Sequence, residues 1–387
     1  MPNLITKTII KPQLPFSGGR CDFLWEVNSD NSDYILTRCT EEEFFIQIKG
    51  KEPRIIVKGE KISRPSQVIF LQNALEEYAK KASCDIIASN IIPASNRQKE
   101  RNSIIKEIDF FAQNFAFEKE LFLEIGFGSG RHLLYQAKNN PNKLIIGIEI
   151  HKPSIEQVAK QCDILGLKNV ILINYDSRIL MEFLRSNSIS KIFIHFPVPW
   201  DKKPHRRVIS PYFVNEALRI LTVGGTLELR TDSHMYYAYA LDIFMQNTYA
   251  NVRIFKNFDL KISSKYEDRW KRLEKNIYDI VLTNTQLYPE NSPLAKLSFD
   301  YLNNIDKIIR DFIPKLFRGD DFFVHFEEIH TGCKKAVIKV AFGAYERAEH
   351  LFIIVEENKI SYFPNGAYAV KANKKAHEII KKWLYGW

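Results

Sequence analysis

Apolar and polar positions fall into three textures along the chain. From Phe23 to about Ile62, short β-rich runs ("FLWEV", "YILTR", "FFIQIKG", "RIIVKG") are separated by Asp/Asn/Ser or Gly clusters. That pattern predicts a small antiparallel sheet. After Pro65 the apolar spacing lengthens to three or four in "SQVIFLQNALEEYAKKA", which predicts a helix. The polar stretch Ser95 to Asn102 reads as an exposed connection. From about Glu118 to Leu287, "LFLEIG", "LIIGIEI", "VILINYD", "KIFIHF" and "TLELRTD" alternate with segments long enough to cross over. Continuous apolar strands of this kind belong to a parallel sheet covered on both faces. "VRIFKNF" and "YDIVLTN" are suited to a closing antiparallel pair. Past Pro289 a helical pattern, "LAKLSFDYLNNIDKIIRDFIPKLF", precedes strands in "DDFFVHFEEIH", "KAVIKVAFGAY", "HLFIIVEE" and "KISYF", then a basic helix, "KKAHEIIKKWL". No internal repeat of fixed period is visible.

The 387 residues are enough for two or three domains and a substantial core. A net charge of +9 favours a polyanionic partner such as nucleic acid. Five cysteines, Cys21, Cys39, Cys84, Cys162 and Cys333, are scattered with no Cys-x-x-Cys pair. The spacing argues against a disulfide framework or a zinc site, and no metal is expected. The first residues lack an apolar signal region and no run approaches membrane-spanning length, so the expected location is the cytoplasm, with no membrane partner.

Candidate chemistry gathers at the ends of the central strands. In "LFLEIGFGSGRH", Gly126, Gly128 and Gly130 make a strand-to-helix turn where missing Cβ atoms let the backbone approach a nucleotide-like cofactor. Strand two ends at Glu149, placed to accept from ribose hydroxyls, and strand three at Asp176, which suits an adenine amino group or the N-cap of the next helix. A dinucleotide and S-adenosylmethionine both fit this pattern. Glu124, within an apolar strand, favours the latter: a buried carboxylate needs compensation, which a sulfonium and an amino group offer and a pyrophosphate does not. The fourth strand delivers "HFPVPWDKKPHRRV", a stiff Pro-Val-Pro-Trp wall followed by Lys202, Lys203, His205, Arg206 and Arg207, a positive rim for phosphates.

Here the segment from Glu124 to about Tyr278 resembles the bacterial tRNA (guanine-N7-)-methyltransferases, through "EIGFGSG", "GIEIHKP", "FPVPWDKKPHRRVI", "LRTDSHMYYAYAL" and "SSKYEDRWKRLEKNIYDI". The resemblance implies an α/β fold: a Rossmann-like class I methyltransferase core, a mostly parallel seven-stranded sheet with helices on both faces, over 116–290. It leaves α+β extensions at 1–115 and 291–387. It further implies methyl transfer from S-adenosylmethionine to a variable-loop guanine of tRNA, position 46 in family members. Glu124, Gly126, Gly128, Gly130, Glu149 and Asp176 would form the cofactor site. Lys202, Arg206, Arg207, Asp232, Ser264 and Glu267 would meet the RNA, with Asp232 and Glu267 also catalytic.

The chain departs from the family pattern at two places. Val198 replaces the aspartate between the prolines, and Ser264 replaces a threonine. Loss of the carboxylate need not end activity, because guanine N7 carries a free lone pair and no proton has to be removed; placement and a negative field suffice, supplied by Asp232, Glu267 or Asp201. Rival readings are a methyltransferase acting on another substrate and an inert RNA-binding scaffold. An NAD-dependent oxidoreductase is disfavoured by Glu124. The basic clusters "NRQKER" and "KANKKAHEIIKKW" suit either an RNA surface or a structural role, and oligomeric state is not encoded in any motif.

Overall fold

The computed structural model describes residues 2–91, 102–114, 116–259, 275–300, 305–357 and 359–386. Ser264, Glu267 and the "NRQKER" cluster lie outside the described residues, as does the side chain of His205. The chain forms two compact units, Met1–Lys99 with Lys296–Trp387, and Glu100–Ala295. The unit boundaries therefore stand at 99/100 and 295/296 rather than at 115/116 and 290/291. The first shift arises because a short strand upstream of Glu118 joins the central sheet and the helix after it packs within the same unit. Among the described residues no helix is long and apolar enough to cross a membrane.

The N-terminal flank contains β1 (Asn3–Thr6), β2 (Phe16–Ser17), β3 (Cys21–Asn28), β4 (Ser32–Cys39), β5 (Glu42–Lys51), β6 (Arg54–Gly59), α1 (Val68–Lys81) and β7 (Ile86–Ser89). Strands β3 to β6 form the expected antiparallel meander, and α1 buries Phe70, Leu71, Ala74, Leu75, Tyr78 and Ala79 against it. The β3–β4 register sets Cys21 opposite Cys39, and the two form a disulfide. This corrects the reading of the cysteines as unpaired. Spacing along the chain did not reveal a contact made across two strands.

In the central unit are β8 (Ile105–Lys106), α2 (Ile108–Gln113), β9 (Leu121–Ile125), α3 (Arg131–Asn139), β10 (Leu144–Ile148), α4 (Lys152–Leu165), β11 (Val170–Ile173), α5 (Ser177–Phe183), β12 (Ile189–His195), α6 (Pro211–Ile220), β13 (Leu221–Thr231), α7 (His234–Met245), β14 (Asn251–Lys256) and β15 (Tyr278–Thr283). Their order is β14-β15-β13-β12-β9-β10-β11-β8. Strands β8 to β13 run parallel, and β15 enters antiparallel to both β13 and β14. The expected parallel sheet with its closing pair is thus present. It has eight strands rather than seven, the additional one being the two-residue β8 at the edge. The strand order reverses direction between β9 and β12, and open α/β sheets bind ligands in the crevice beyond the carboxyl ends at such a point.

The C-terminal flank supplies α8 (Ile305–Asp311), β16 (Lys315–Arg318), β17 (Phe323–Gly332), β18 (Lys335–Ala344), β19 (Arg347–Glu356), β20 (Lys359–Phe363) and α9 (Lys371–Tyr385). The long helix expected from Leu294 is reduced to α8 among the described residues. Leu297 instead lies extended, donating its backbone N–H to Ala367, and Lys315 onward is a strand.

The two flanks repeat one arrangement, a short strand followed by a four-stranded meander and a helix. Hairpin pairs Cys39↔Glu42 and Lys51↔Arg54 have counterparts in Ala344↔Arg347 and Glu356↔Lys359 at constant spacing. The leading edges meet antiparallel through Asn28↔Thr331, so the order β20-β19-β18-β17-β3-β4-β5-β6 reads alike from both ends. Phe45 of β5 lies 5.3 Å from Phe352 of β19 and 5.0 Å from Phe363, ring centre to ring centre. Those strands are well separated in the order, so the sheet folds over and its halves share an inner core of Val27, Tyr34, Leu36, Phe45, Val337, Phe352, Ile354 and Phe363. Helices α1 and α9 cover the outer faces. The repeat escaped the sequence reading because it preserves pattern rather than residues: Gln47 and Phe352 hold corresponding places.

Candidate active site

The carboxyl ends of β9, β10, β11, β12 and β13 bring together most of the expected groups. After β9 the chain turns through Gly126, Gly128 and Gly130, with φ of 71°, 52° and 72°. These left-handed conformations favour glycine. A methyl group built on Gly126 or Gly128 meets nothing within 4 Å, whereas one on Gly130 lands 2.4 Å from Val158 Cγ2. The turn thus has an open side, suited to a cofactor, and a closed side packed on α4. Glu149, just beyond β10, fixes the turn. Its Oε2 accepts from the Gly128 N–H at 3.0 Å and its Oε1 from Ile150 and His151 at 2.8 and 3.0 Å. Asp176 takes the capping alternative, accepting from Arg178 N at 2.9 Å and pairing with the Arg178 guanidinium at 2.6 Å.

Glu124 is buried, as expected, but its compensation comes from the protein. His132, in the first turn of α3, places Nδ1 2.7 Å from Glu124 Oε2, and its ring sits 4.3 Å from that of His195. The carboxylate therefore does not by itself call for a cationic ligand. Burial works against a charge on His132, but Glu124, with help from Glu228, outweighs it and holds the imidazolium above the ordinary histidine range. The sequence carried a signal for this partner: a carboxylate inside an apolar strand needs a cation, and His132 stands two residues past the last glycine.

His195 in turn pairs with Glu228 at 2.8 Å, and burial, which pushes the Glu228 carboxyl up, is outweighed chiefly by that contact, which holds it below the usual carboxylate range. Beside it, Arg230 donates Nη1 to both oxygens of Asp279 at 2.6 Å and Nη2 to the Phe258 carbonyl at 2.9 Å. These groups occupy one sheet face, because Glu228 and Arg230 alternate with buried Leu227 and Leu229 along β13. The sequence reading took this run as uniformly apolar and missed them.

The His132 assignment has a direct check. Ring-proton NMR should show His132 titrating above its ordinary value near 6.5. In Glu124→Gln it should fall below that value, since burial, the largest influence on the group, is then opposed by Glu228 alone. With the raised value, the ion pair's contribution to stability is complete below about pH 6.5 and is lost as pH rises through the His132 titration. Identical titrations in the two proteins would remove Glu124 as the partner.

The segment after β12 is held in a shape few sequences adopt. Phe196 and Trp200, flanking Pro197-Val198-Pro199, have φ of 49° and 48°. Such backbone persists only where surrounding contacts impose it. Here the Phe196 N–H donates to the Arg230 carbonyl at 2.7 Å, and the far end of the segment is held by Arg207. Its Nε donates to the Pro199 carbonyl at 2.7 Å, and its guanidinium lies between Tyr236 and Tyr239 at 5.0 and 4.6 Å. Arg207 is buried, which corrects its assignment to the RNA rim: it braces the loop. Lys202, Lys203 and Arg206 are exposed, Arg206 stacking on Trp200 at 5.1 Å. Val198 is 60% exposed at the crest. Asp232, following β13, sits 3.4 Å from Lys275 Nζ.

Parallel strands that reverse order beside an open glycine turn, closed by an antiparallel β15, make this unit a class I S-adenosylmethionine-dependent methyltransferase domain. The profile of a family described as "Putative methyltransferase" matches residues 118–280. Relatives named "tRNA (guanine-N(7)-)-methyltransferase" match nearly end to end. The Campylobacter jejuni protein (strain 81-176) is 40% identical over 99% of this chain and 98% of its own. That of Campylobacter fetus is 38% identical over 99% of both, and that of Wolinella succinogenes 38% identical over 99% of this chain and 100% of its own. The chain belongs to the tRNA (guanine-N(7)-)-methyltransferase family. The flanking unit falls within the matched length.

Proposed function

We propose that this enzyme methylates N7 of a guanine in tRNA, in the variable loop, with S-adenosylmethionine as the donor. The observation that carries the reading is the convergence of the open glycine turn, the braced Pro-Val-Pro-Trp loop and Asp232 on one sheet edge, in a chain related over its whole length to enzymes of that name.

S-adenosylmethionine supplies an electrophilic methyl group: the N7–carbon bond forms as the sulfur–carbon bond breaks, the electron pair returns to sulfur, and no proton leaves the guanine. The residues' work is therefore placement and charge. Gly126 and Gly128 leave room for the donor and Glu149 offers its carboxylate to the ribose, while Asp176 is engaged by Arg178 as the cap of α5. Lys202, Lys203 and Arg206 engage phosphates. Asp232 supplies negative potential where positive charge builds on the base, Glu267 adds to it from the late motif, and Ser264 there meets the RNA. Val198 forms a nonpolar wall and takes no part in proton transfer.

The test is transfer of labelled methyl to unmodified tRNA, followed by nucleoside analysis for 7-methylguanosine. Asp232→Ala is expected to lower turnover about a hundredfold or more, with cofactor affinity unchanged. Val198→Asp should change turnover only several-fold. Full turnover in Asp232→Ala would remove Asp232 from the chemistry. Binding of tRNA with no transfer by the unaltered enzyme would favour an inert RNA-binding role.

A further inference from the structure

We infer that the free edge of the central sheet, strand β14 with Phe258, is a docking surface for unpaired nucleotides of the tRNA beside the target guanine. The inference rests on the proposed tRNA-methylating reading and extends it to a surface outside the recognised motifs.

Strand β14 pairs with β15 alone, which leaves its other side without a strand partner among the described residues. Edges of this kind are ordinarily blunted by charge or covered. Here exposed apolar side chains share the edge with charges: Ile254 is 45% exposed, Phe255 38% and Phe258 53%. The Phe255 and Phe258 rings lie 5.5 Å apart. Arg253 and Lys256 flank the Ile254-Phe255 pair, both exposed and with no carboxylate partner among the described residues. Exposed rings interleaved with unpaired cations provide stacking faces and phosphate contacts together, the combination that single-stranded nucleic acid requires. A purely apolar protein partner would leave both cations uncompensated.

The register ties this edge to the active site. Phe255, Asp279, Arg230 and His195 form one row across β14, β15, β13 and β12, and His195 leads directly into the Pro-Val-Pro-Trp loop. Three strand spacings separate the row's ends, roughly 15 Å. Lys256, Tyr278 and Thr231 form the next row, which ends one residue before Asp232. Arg230 also holds the Phe258 carbonyl, fixing that residue beside Phe255. A nucleic acid presenting its base at Asp232 and the loop crest would therefore pass along β14.

The experiment uses the full-length enzyme, an unmodified tRNA transcript, and the doubly substituted variants Phe255→Ala/Phe258→Ala and Arg253→Glu/Lys256→Glu. Thermal melts verify folding, and calorimetry with S-adenosylhomocysteine reports the cofactor site. The aromatic variant should bind tRNA about tenfold or more weakly, and the charge variant should show both weaker binding and a shallower dependence of affinity on salt. Cofactor affinity should stay at the unaltered value in both. If the unaltered enzyme makes 7-methylguanosine while both folded variants bind tRNA normally, the docking surface is refuted and the function stands. Concentration-dependent dimerisation that disappears in the aromatic variant, with tRNA affinity unchanged, would assign the edge to a second copy and refute it too. If the unaltered enzyme neither binds nor methylates tRNA, both readings fall.

Discussion

An alanine at Gly126 should leave the enzyme folded and abolish cofactor binding, while an alanine at Gly130 should damage the fold itself. Both glycines have positive φ, so each substitution carries the left-handed penalty of about 1–2 kcal/mol. The surroundings then separate them. At Gly126 the new methyl meets nothing within 4 Å, and in the proposed cofactor cradle it would compete with the donor. At Gly130 it meets Val158 Cγ2 at 2.4 Å and Cγ1 at 3.1 Å on a fully buried helix position, adding roughly 1–3 kcal/mol of overpacking. Denaturant unfolding and calorimetry with S-adenosylhomocysteine measure the two effects separately. Normal cofactor affinity in Gly126→Ala would mean that the open side of the turn is not the cradle.

That contrast marks how far the sequence could be read. Three glycines at a strand-to-helix turn are visible as text, but which of them faces ligand and which faces helix depends on α4, whose position only the folded chain sets. The parallel strands were legible because burial on both faces makes each a continuous apolar run, and β14 and β15 were legible as a pair because they follow the last crossover. Glu149 was placed correctly at the end of β10, and its grip on the Gly128 N–H is a tertiary detail of that placement. Arg207 shows the opposite case. In a run of five basic or ionisable side chains nothing distinguishes it from Arg206, yet one turns inward between two tyrosines while the other stays in solvent. The cysteine pair was hidden for a related reason, since it depends on register between strands, which is fixed by pairing rather than by spacing along the chain; the repeated flanks were hidden because corresponding positions keep the pattern and not the residues.

The flanking unit also changes how its basic helix should be tested. Helix α9 buries Ala372, Ala376, Ile380 and Leu384 beneath its own sheet, and Lys375 and Lys381 pair with Asp321 and Asp300. Deleting the helix would uncover the core, so a loss of tRNA affinity in such a truncation would report unfolding. Charge reversal at Lys374, which is exposed and away from that core, asks the electrostatic question without removing a packing element.

Asp279→Asn is expected to be among the most destabilising single substitutions in the central unit, at about 3–5 kcal/mol. Burial pushes the Asp279 carboxyl upward, and Arg230, fully buried and 2.6 Å from both oxygens, pulls against it. Removing the carboxylate's charge leaves the buried guanidinium with only the longer-range field of Glu228 to balance it, and the cost is mainly that under-compensated cation rather than the lost attraction. Replacing both members with apolar residues, as in Arg230→Met/Asp279→Leu, should therefore recover most of the stability lost in the single variant. It should not recover activity to the same extent, because Arg230 also fixes the Phe258 carbonyl and sits beside His195 at the head of the Pro-Val-Pro-Trp loop. Unfolding free energies and methyl transfer, measured on the single and double variants, separate these roles. If the double variant regained stability and turnover together, the pair would be a structural contact only; if stability returned while turnover stayed low, Arg230 would be a positioning residue for the site.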